Sequence, residues 1–260
     1  MTRAPRNRIA LELREEAVAA IRQHAAARDT RPTLATSLVG HPCDRRIAHH
    51  LHGTPPANAP DPLAGFLRAG AHRALGAAVD AYDGADEEGA FLAPYADNPR
   101  YATGKIPAVR EWLSAPAGIY DLYEDTVFAF KQVGAHTMSR LRNRGPSVAY
   151  RTQAHIRARG WADAGYEPHH VAIIFVPWES SPQHHIRCSL DYIWTWSEAY
   201  DPAVPEATLE RAERIRADLS EMDMNAMPEL WEAIPTTPGE CRACPFYSPL
   251  AAPGAGCPGE

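Results

Sequence analysis

E-C-R-A-C-P-F-Y-S-P-L-A-A-P-G-A-G-C-P-G, residues 240–259, closes the chain with three cysteines in a run that has almost no secondary-structure signal. Cys241 and Cys244 form a C-x-x-C pair, and Cys257 follows across a Pro/Gly-rich loop of twelve residues. A fourth cysteine, Cys43, lies near the other end. Together they make a complete set of four thiolate ligands, suited to a 4Fe–4S cluster or a structural zinc. Thiolate number does not separate the two. Either group would tie the C-terminal tail to the N-terminal third, so the chain between is expected to fold as one closed domain.

Composition agrees with that. The 260 residues are 45% hydrophobic and 22% charged, an ordinary globular balance with enough apolar side chain for a sizeable core. No run of about 18 apolar residues suggests a membrane span. The opening M-T-R-A-P-R-N-R-I-A-L-E-L-R-E-E is charged and lacks an apolar signal-peptide core. A cytoplasmic setting is expected, where cysteines at this spacing read as metal ligands rather than disulfides. The net charge of −6 argues against a protein coated with positive charge but leaves room for a local basic groove.

Working inward from the cysteines, residues 8–28 carry Ile9, Leu11, Leu13, Ala17 and Ile21 at helical spacing. A second helix is predicted to start beside Cys43 and to stop at Gly53 and Pro55-Pro56, aiming free N–H groups at an anionic thiolate. Residues 61–82 read as a helix carrying His72, followed by an acidic, Gly-rich loop. Strands are predicted at 106–112, 117–124, 126–133, 169–177 and about 184–196, with helices over 147–165 and 203–222. That order suits an α/β domain with a mixed sheet. No G-x-G-x-x-G opens a helix after a strand, which excludes the dinucleotide-binding signature, and no P-loop occurs.

The segments 117–124 and 126–133 form a hairpin pattern around a polar turn. With the turn centred near Asp125, Asp121 is expected opposite Ala129, so that Asp121, Ala129 and Lys131 share one face. Glu124 is expected on the other face and Asp125 in the turn. Taken alone, Asp121 and Lys131 also suit a solvated charge pair on a strand.

These pieces together resemble the RecB-like exonucleases of the PD-(D/E)XK superfamily, in the iron–sulfur form associated with CRISPR systems and phages. The resemblance spans residues 33–260, with residues 1–32 an N-terminal helical extension. It rests on S-L-V-G-H-P-C-D-R-R at 37–46, G-A-H at 70–72, G-I-Y-D-L at 118–122, F-A-F-K-Q-V-G at 128–134, Gln153 in Q-A-H-I-R-A-R-G, and the C-terminal C-x-x-C-P-F with a later C-P-G. It implies a restriction-endonuclease-like mixed sheet flanked by helices, with Cys43, Cys241, Cys244 and Cys257 holding a 4Fe–4S staple. It also implies metal-dependent hydrolysis of DNA, trimming single-stranded ends in replication, recombination or CRISPR spacer processing, with CRISPR or recombination proteins as partners.

Carried over residue by residue, His72 and Asp121 would hold Mg²⁺ or Mn²⁺, Lys131 would assist the attacking water, and Gln153 would join the site. The chemistry requires a cation to offset the charge developing at a scissile phosphate, and oxygen ligands to hold it. The chain departs from the pattern at Ala129, where the family carries an acid, so activity is expected to be strongly impaired. Ala129 reads as an inactivating substitution, as the mark of a degenerate member kept for binding DNA, or as a gap filled by Glu124, Asp125 or the Phe130 carbonyl. The second departure is Arg157, in place of the usual tyrosine. Arg157, with Arg45 and Arg46, is a candidate for contacting DNA phosphate. The rival readings are a non-cleaving DNA-binding or recombination subunit and a zinc-stapled interaction module. Cys188 is expected to be a buried structural cysteine. The His49-His50, His169-His170 and His184-His185 pairs are read as surface or core histidines, because neighbours on a strand face opposite ways.

Overall fold

The computed structural model describes residues 8–26, 34–58, 62–83, 101–103, 110, 112–114, 118–224, 226–237, 241, 244–251 and 255–259. It opens with α1 (Arg8–Ala26), the amphipathic segment. A short strand β1 (Leu34–Ala35) leads into the single turn α2 (Thr36–Val39) and then α3 (Asp44–His52). Cys43 is the N-cap of α3, and Gly53 ends the helix at φ 76°, a left-handed conformation open to glycine without steric cost. The long helix α4 (Pro62–Asp83) follows.

Next come β2 (Tyr101–Thr103), β3 (Leu113–Ser114), β4 (Ile119–Asp121) and β5 (Thr126–Val133). β5 is followed by α5 (Ala135–Arg144), α6 (Val148–Asp163) and β6 (His170–Pro177). The chain then runs through β7 (Trp194–Ala199), α7 (Ala203–Glu221) and the short α8 (Leu230–Ala233). One mixed sheet has the order β2-β4-β5-β6-β7, and β1 pairs with β3 apart from it. β5 and β6 are parallel, which obliges the chain to cross over between them, and α5 and α6 are that crossover. The other pairs in the sheet are antiparallel. The protein is therefore a mixed α/β fold with helices against its sheet.

One face of the sheet packs Tyr120, Val127, Val133, Val171, Ile173 and Phe175 against Met138, Leu141, Ala154, Ala158 and Trp161 of α5 and α6. A second core joins Ile156 of α6 to Leu34, Val39, Ile47, Leu113, Leu209 and Trp231. α6 is thus gripped from both sides, and Thr152 through Ala158 are all buried. This explains its weak amphipathicity, since a helix buried along its middle needs no continuous polar stripe. Its buried polar groups need partners instead. His155 Nε2–H donates to Glu198 Oε1 at 2.8 Å while its Nδ1 accepts the Asp201 N–H at 3.2 Å. α4 lies toward the opposite face, where Ala71, Ala74 and Leu75 line a recess with Gln132 and Val176.

Several predicted elements differ. The strand expected at 117–124 is only Ile119–Asp121, because residues 122–125 form the turn. The strand expected from 184 begins at Trp194. Residues 182–192 make two 3-10 turns instead, with His185 at φ 52°. Residues 106–109 and 111 of the strand expected at 106–112 lie outside the described residues.

Candidate functional site

The four cysteines border one recess. Cys43, Cys241, Cys244 and Cys257 line one recess with His41, Arg46 and Tyr247, enclosing about 320 Å³ of space with its open mouth included. Cys43, Cys244 and Cys257 are buried. Cys43 is set at the start of α3, its N–H donating to His41 Nδ1 at 3.2 Å. The C-x-x-C pair is a turn, with the Cys244 N–H on the Cys241 carbonyl at 2.8 Å. Cys257 is brought back beside this turn by its N–H on the Phe246 carbonyl at 2.7 Å and by the Ser248 N–H on its own carbonyl at 2.8 Å. Gly259 closes the approach at φ +93°, where a Cβ would come within 3.0 Å of the Tyr247 ring and 3.6 Å of the Cys241 sulfur.

The tail is held by protein contacts as well. Arg45, expected to reach DNA, is buried and serves the fold: its Nε and Nη2 donate to the carbonyls of Ile234 and Glu232 at 3.0 and 2.9 Å. Those are carbonyls at the end of α8, which no helix partner reaches. Arg46 is likewise turned toward the cysteines and lines their recess. The Asn58 N–H donates to the Pro245 carbonyl at 2.7 Å. His49 stacks on Trp231 with ring centroids 3.9 Å apart and planes 6° from parallel, and also lies against Phe246. Neither contact was foreseen, because nothing in the sequence says that Trp231 returns to α3.

Burial lowers the His49 pKa from 6.5 to about 4, with Arg45 and His52 adding to the effect. Between these values the unfolded chain takes up a proton that the folded chain refuses, so stability present above pH 6.5 declines as pH falls toward 4. From pH 7 to pH 5 the natural chain is expected to lose about 2 kcal/mol more than a His49→Phe variant. Urea titrations at the two pH values check this, and equal losses would contradict it.

The recess suits a thiolate-bound group. Four of its lining side chains carry sulfur, one of them at a helix N-terminus where negative charge is favoured, while the ring nitrogens of His41 are engaged by the Cys43 N–H and by Arg46. Burial pushes the Cys244 thiol up, the Phe246 N–H and Arg46 oppose it, and Cys257 and Cys43 add to it. Several buried thiols so close cannot all ionise without a cationic centre among them. Among the described residues, no three His, Cys, Asp or Glu side chains are grouped to hold a single metal ion.

The hairpin does not assemble as expected. Its register pairs Asp121 with Thr126, Tyr120 with Val127 and Ile119 with Phe128. Asp121 therefore shares a face with Thr126, while Ala129 and Lys131 lie on the other face with Val127. The cause is the turn, which is four residues long with Asp125 at φ 46°, so the centre of the pairing falls earlier than Asp125. Asp121 is buried, and its Oδ1 accepts the N–H groups of Tyr123 at 3.0 Å and Glu124 at 3.4 Å. Glu124 and Asp125 both belong to the turn, and Asp125 accepts the Tyr120 hydroxyl at 2.8 Å. Lys131 extends toward Tyr150, with Nζ 5.8 Å from the ring centre. His72 lies on α4, and its side chain is outside the described residues. Among the described side chains, Ala129 offers no ligand, and Asp121 lies on the opposite sheet face from Lys131.

Beside the cysteines lies a larger cleft with about 1210 Å³ of space between its walls, lined by Ser37, His41, Arg140, Tyr150, Gln153 and Arg211 among others. Gln153 is buried and donates to Thr36 Oγ1 at 3.0 Å. The first turn of α6 also faces the cleft through Val148 and Ala149. His41 lines both the cleft and the cysteine recess, so the two are neighbours. Arg140 was not singled out in the sequence, where the helix that presents it went unread.

Arg157 is buried, not placed for a phosphate on the surface. Cys188 is exposed, contrary to expectation, because it lies in the irregular stretch before β7. Of the histidine pairs, His49 is a core residue, while His169, His170 and His185 are exposed. No helix among the described residues is long and apolar enough to cross a membrane.

No family model matches the chain, and no curated protein matches it. Among solved structures, one titled "Crystal structure of SSO0001" aligns at 13% identity over 90% of this chain and 94% of that one, with a TM-score of 0.44. A likeness of that size carries no argument about fold or activity.

Proposed function

We propose that the chain is an iron–sulfur protein on a RecB-like nuclease scaffold of restriction-endonuclease-like architecture, which binds single-stranded DNA without hydrolysing it efficiently. The observation that carries this reading is the convergence of Cys43 with Cys241, Cys244 and Cys257 on one recess. An all-cysteine set is the donor set of a 4Fe–4S cluster. Those four residues would hold the cluster, and its contribution would be to staple the chain ends beside the sheet. The neighbouring cleft supplies the place for a nucleic acid strand. Arg140 and the first turn of α6 offer positive charge and free N–H groups of the kind that receive phosphates.

The hairpin supports the non-cleaving half of the reading. Hydrolysis requires a cation held beside the scissile phosphate, and neither Ala129 nor the turn-bound Asp121 provides for one there. A second reading, an exonuclease acting on single-stranded ends, is favoured by one observation: Lys131 remains on the α6 face, beside Tyr150 at the edge of the cleft.

End-labelled single-stranded DNA separates the two. Protein purified without air is expected to shift the strand, more weakly as salt rises, and to leave its length unchanged with Mn²⁺. Arg140→Glu is expected to weaken binding by roughly tenfold. Shortening of the label would favour the exonuclease, and no shift at low salt would sink both readings.

A further inference from the structure

Two donors compete for one lone pair beside the cysteines. The Cys43 N–H points at His41 Nδ1 from 3.2 Å, and Arg46 Nη1 lies 3.0 Å from Nε2 of the same ring. A neutral imidazole accepts through one nitrogen and carries a proton on the other. Whichever tautomer His41 takes, one of these donors faces an N–H. The Cys43 amide is fixed by the start of α3, so the group able to turn is the guanidinium. Arg46 has a second donor to place, because its Nε is buried with no hydrogen-bond partner among the described residues. Native folds rarely leave such a group unpaired, since its lost hydration is not repaid.

The neighbouring cations are already committed. Arg45 serves the Ile234 and Glu232 carbonyls, and Arg211 holds Asp44 and the His41 and Pro42 carbonyls. Among the described residues that line the recess, Arg46 is the one arginine or lysine, and no aspartate or glutamate joins it. Its charge reaches Cys244. The recess thus sets a cation with donors to spare beside four sulfurs.

We propose that Arg46 is the counter-charge of the group held by the four cysteines, with an N–H turned from His41 to one of their sulfurs. The proposal rests on the iron–sulfur reading and adds to it a residue that sets the cluster's potential. Four thiolates leave a loaded cluster anionic, and reduction makes it more so. A fixed cation donating to sulfur therefore favours the reduced state, by roughly tenfold, or 59 mV for one electron.

Arg46→Gln and Arg46→Lys test this in the full-length protein purified without air. Iron is counted first, and midpoint potentials are then read by dithionite titration followed by electron paramagnetic resonance. One electron passes from dithionite to iron, and no bond is made or broken. Arg46→Gln is expected to bind the natural complement of iron with a potential lower by about 59 mV. Arg46→Lys, which keeps the charge, is expected to recover most of that difference. Poor loading of Arg46→Gln beside normal loading of Arg46→Lys would also support the counter-charge. An unchanged potential in Arg46→Gln would overturn the inference alone, as would an equal lowering in both variants. Loss of iron from both would make Arg46 a packing residue and overturn it as well. No iron in the natural chain would instead bring down the cluster reading on which the inference stands.

Discussion

Cys43→Ala is expected to remove visible absorption near 400 nm and to lower the melting temperature by roughly 10 °C or more. In the proposed staple Cys43 is the one ligand that comes from the N-terminal third, so its loss would open the staple while the C-terminal turn remains. Cross-linking a loop of about 200 residues is worth on the order of 5 kcal/mol through the unfolded state. A domain of this size shifts by about 2–4 °C per kcal/mol. Cys188→Ala is the control. That residue is exposed, and its thiol donates to the Pro177 carbonyl at 3.3 Å, so colour and melting are expected to stay as they are. Anaerobic absorption spectra and thermal melts of both variants check the pair. If Cys43→Ala kept its colour, the cysteine would not be a ligand.

Trp231→Ala is expected to cost about 3–5 kcal/mol. Trp231 is 2% exposed in the second core, and its ring covers His49 face to face. Removing it opens a cavity where α3 meets the segment that leads to the cysteines, and leaves the His49 ring without its stacking partner. Trp231→Phe is expected to cost less than half as much, because the indole N–H has no hydrogen-bond partner among the described residues. Urea midpoints with an unchanged slope give both values. A cost under about 1 kcal/mol for the alanine variant would show that the tail is held by the cysteines alone.

The sequence made the helices α1, α3, α4, α6 and α7 and the strand β5 legible from local signals, while α2, α5 and α8 went unread. Thr126–Val133 and His170–Pro177 follow β-prone runs almost residue for residue, and Gly53 ends α3 by cap chemistry that needs no tertiary information. The four cysteines line one recess, a placement that their spacing had suggested. The hairpin register was not legible. It depends on whether the turn takes two or four residues, and Leu122-Tyr123-Glu124-Asp125 permits either until Asp121 accepts the Tyr123 and Glu124 N–H groups. A shift in the centre of pairing then moves Asp121 to the other face from Ala129. The fates of Arg45 and Arg157 were hidden for a related reason. Both look like solvated helix arginines in sequence, and only the packing of α8 and of the sheet against their helices buries them. Cys188 erred the other way, because its β-prone neighbour Ile186 makes an isolated bridge with Ser181 and Leu190 sits in a 3-10 turn, so no strand runs through it.

The central claim, a four-thiolate iron–sulfur staple, is tested most directly by counting iron, acid-labile sulfide and zinc in protein purified without air. The account predicts about four iron and four sulfide per chain, with absorption near 400 nm that Cys43→Ala abolishes. About one zinc per chain in a colourless protein would contradict it, and would make the recess a structural zinc site.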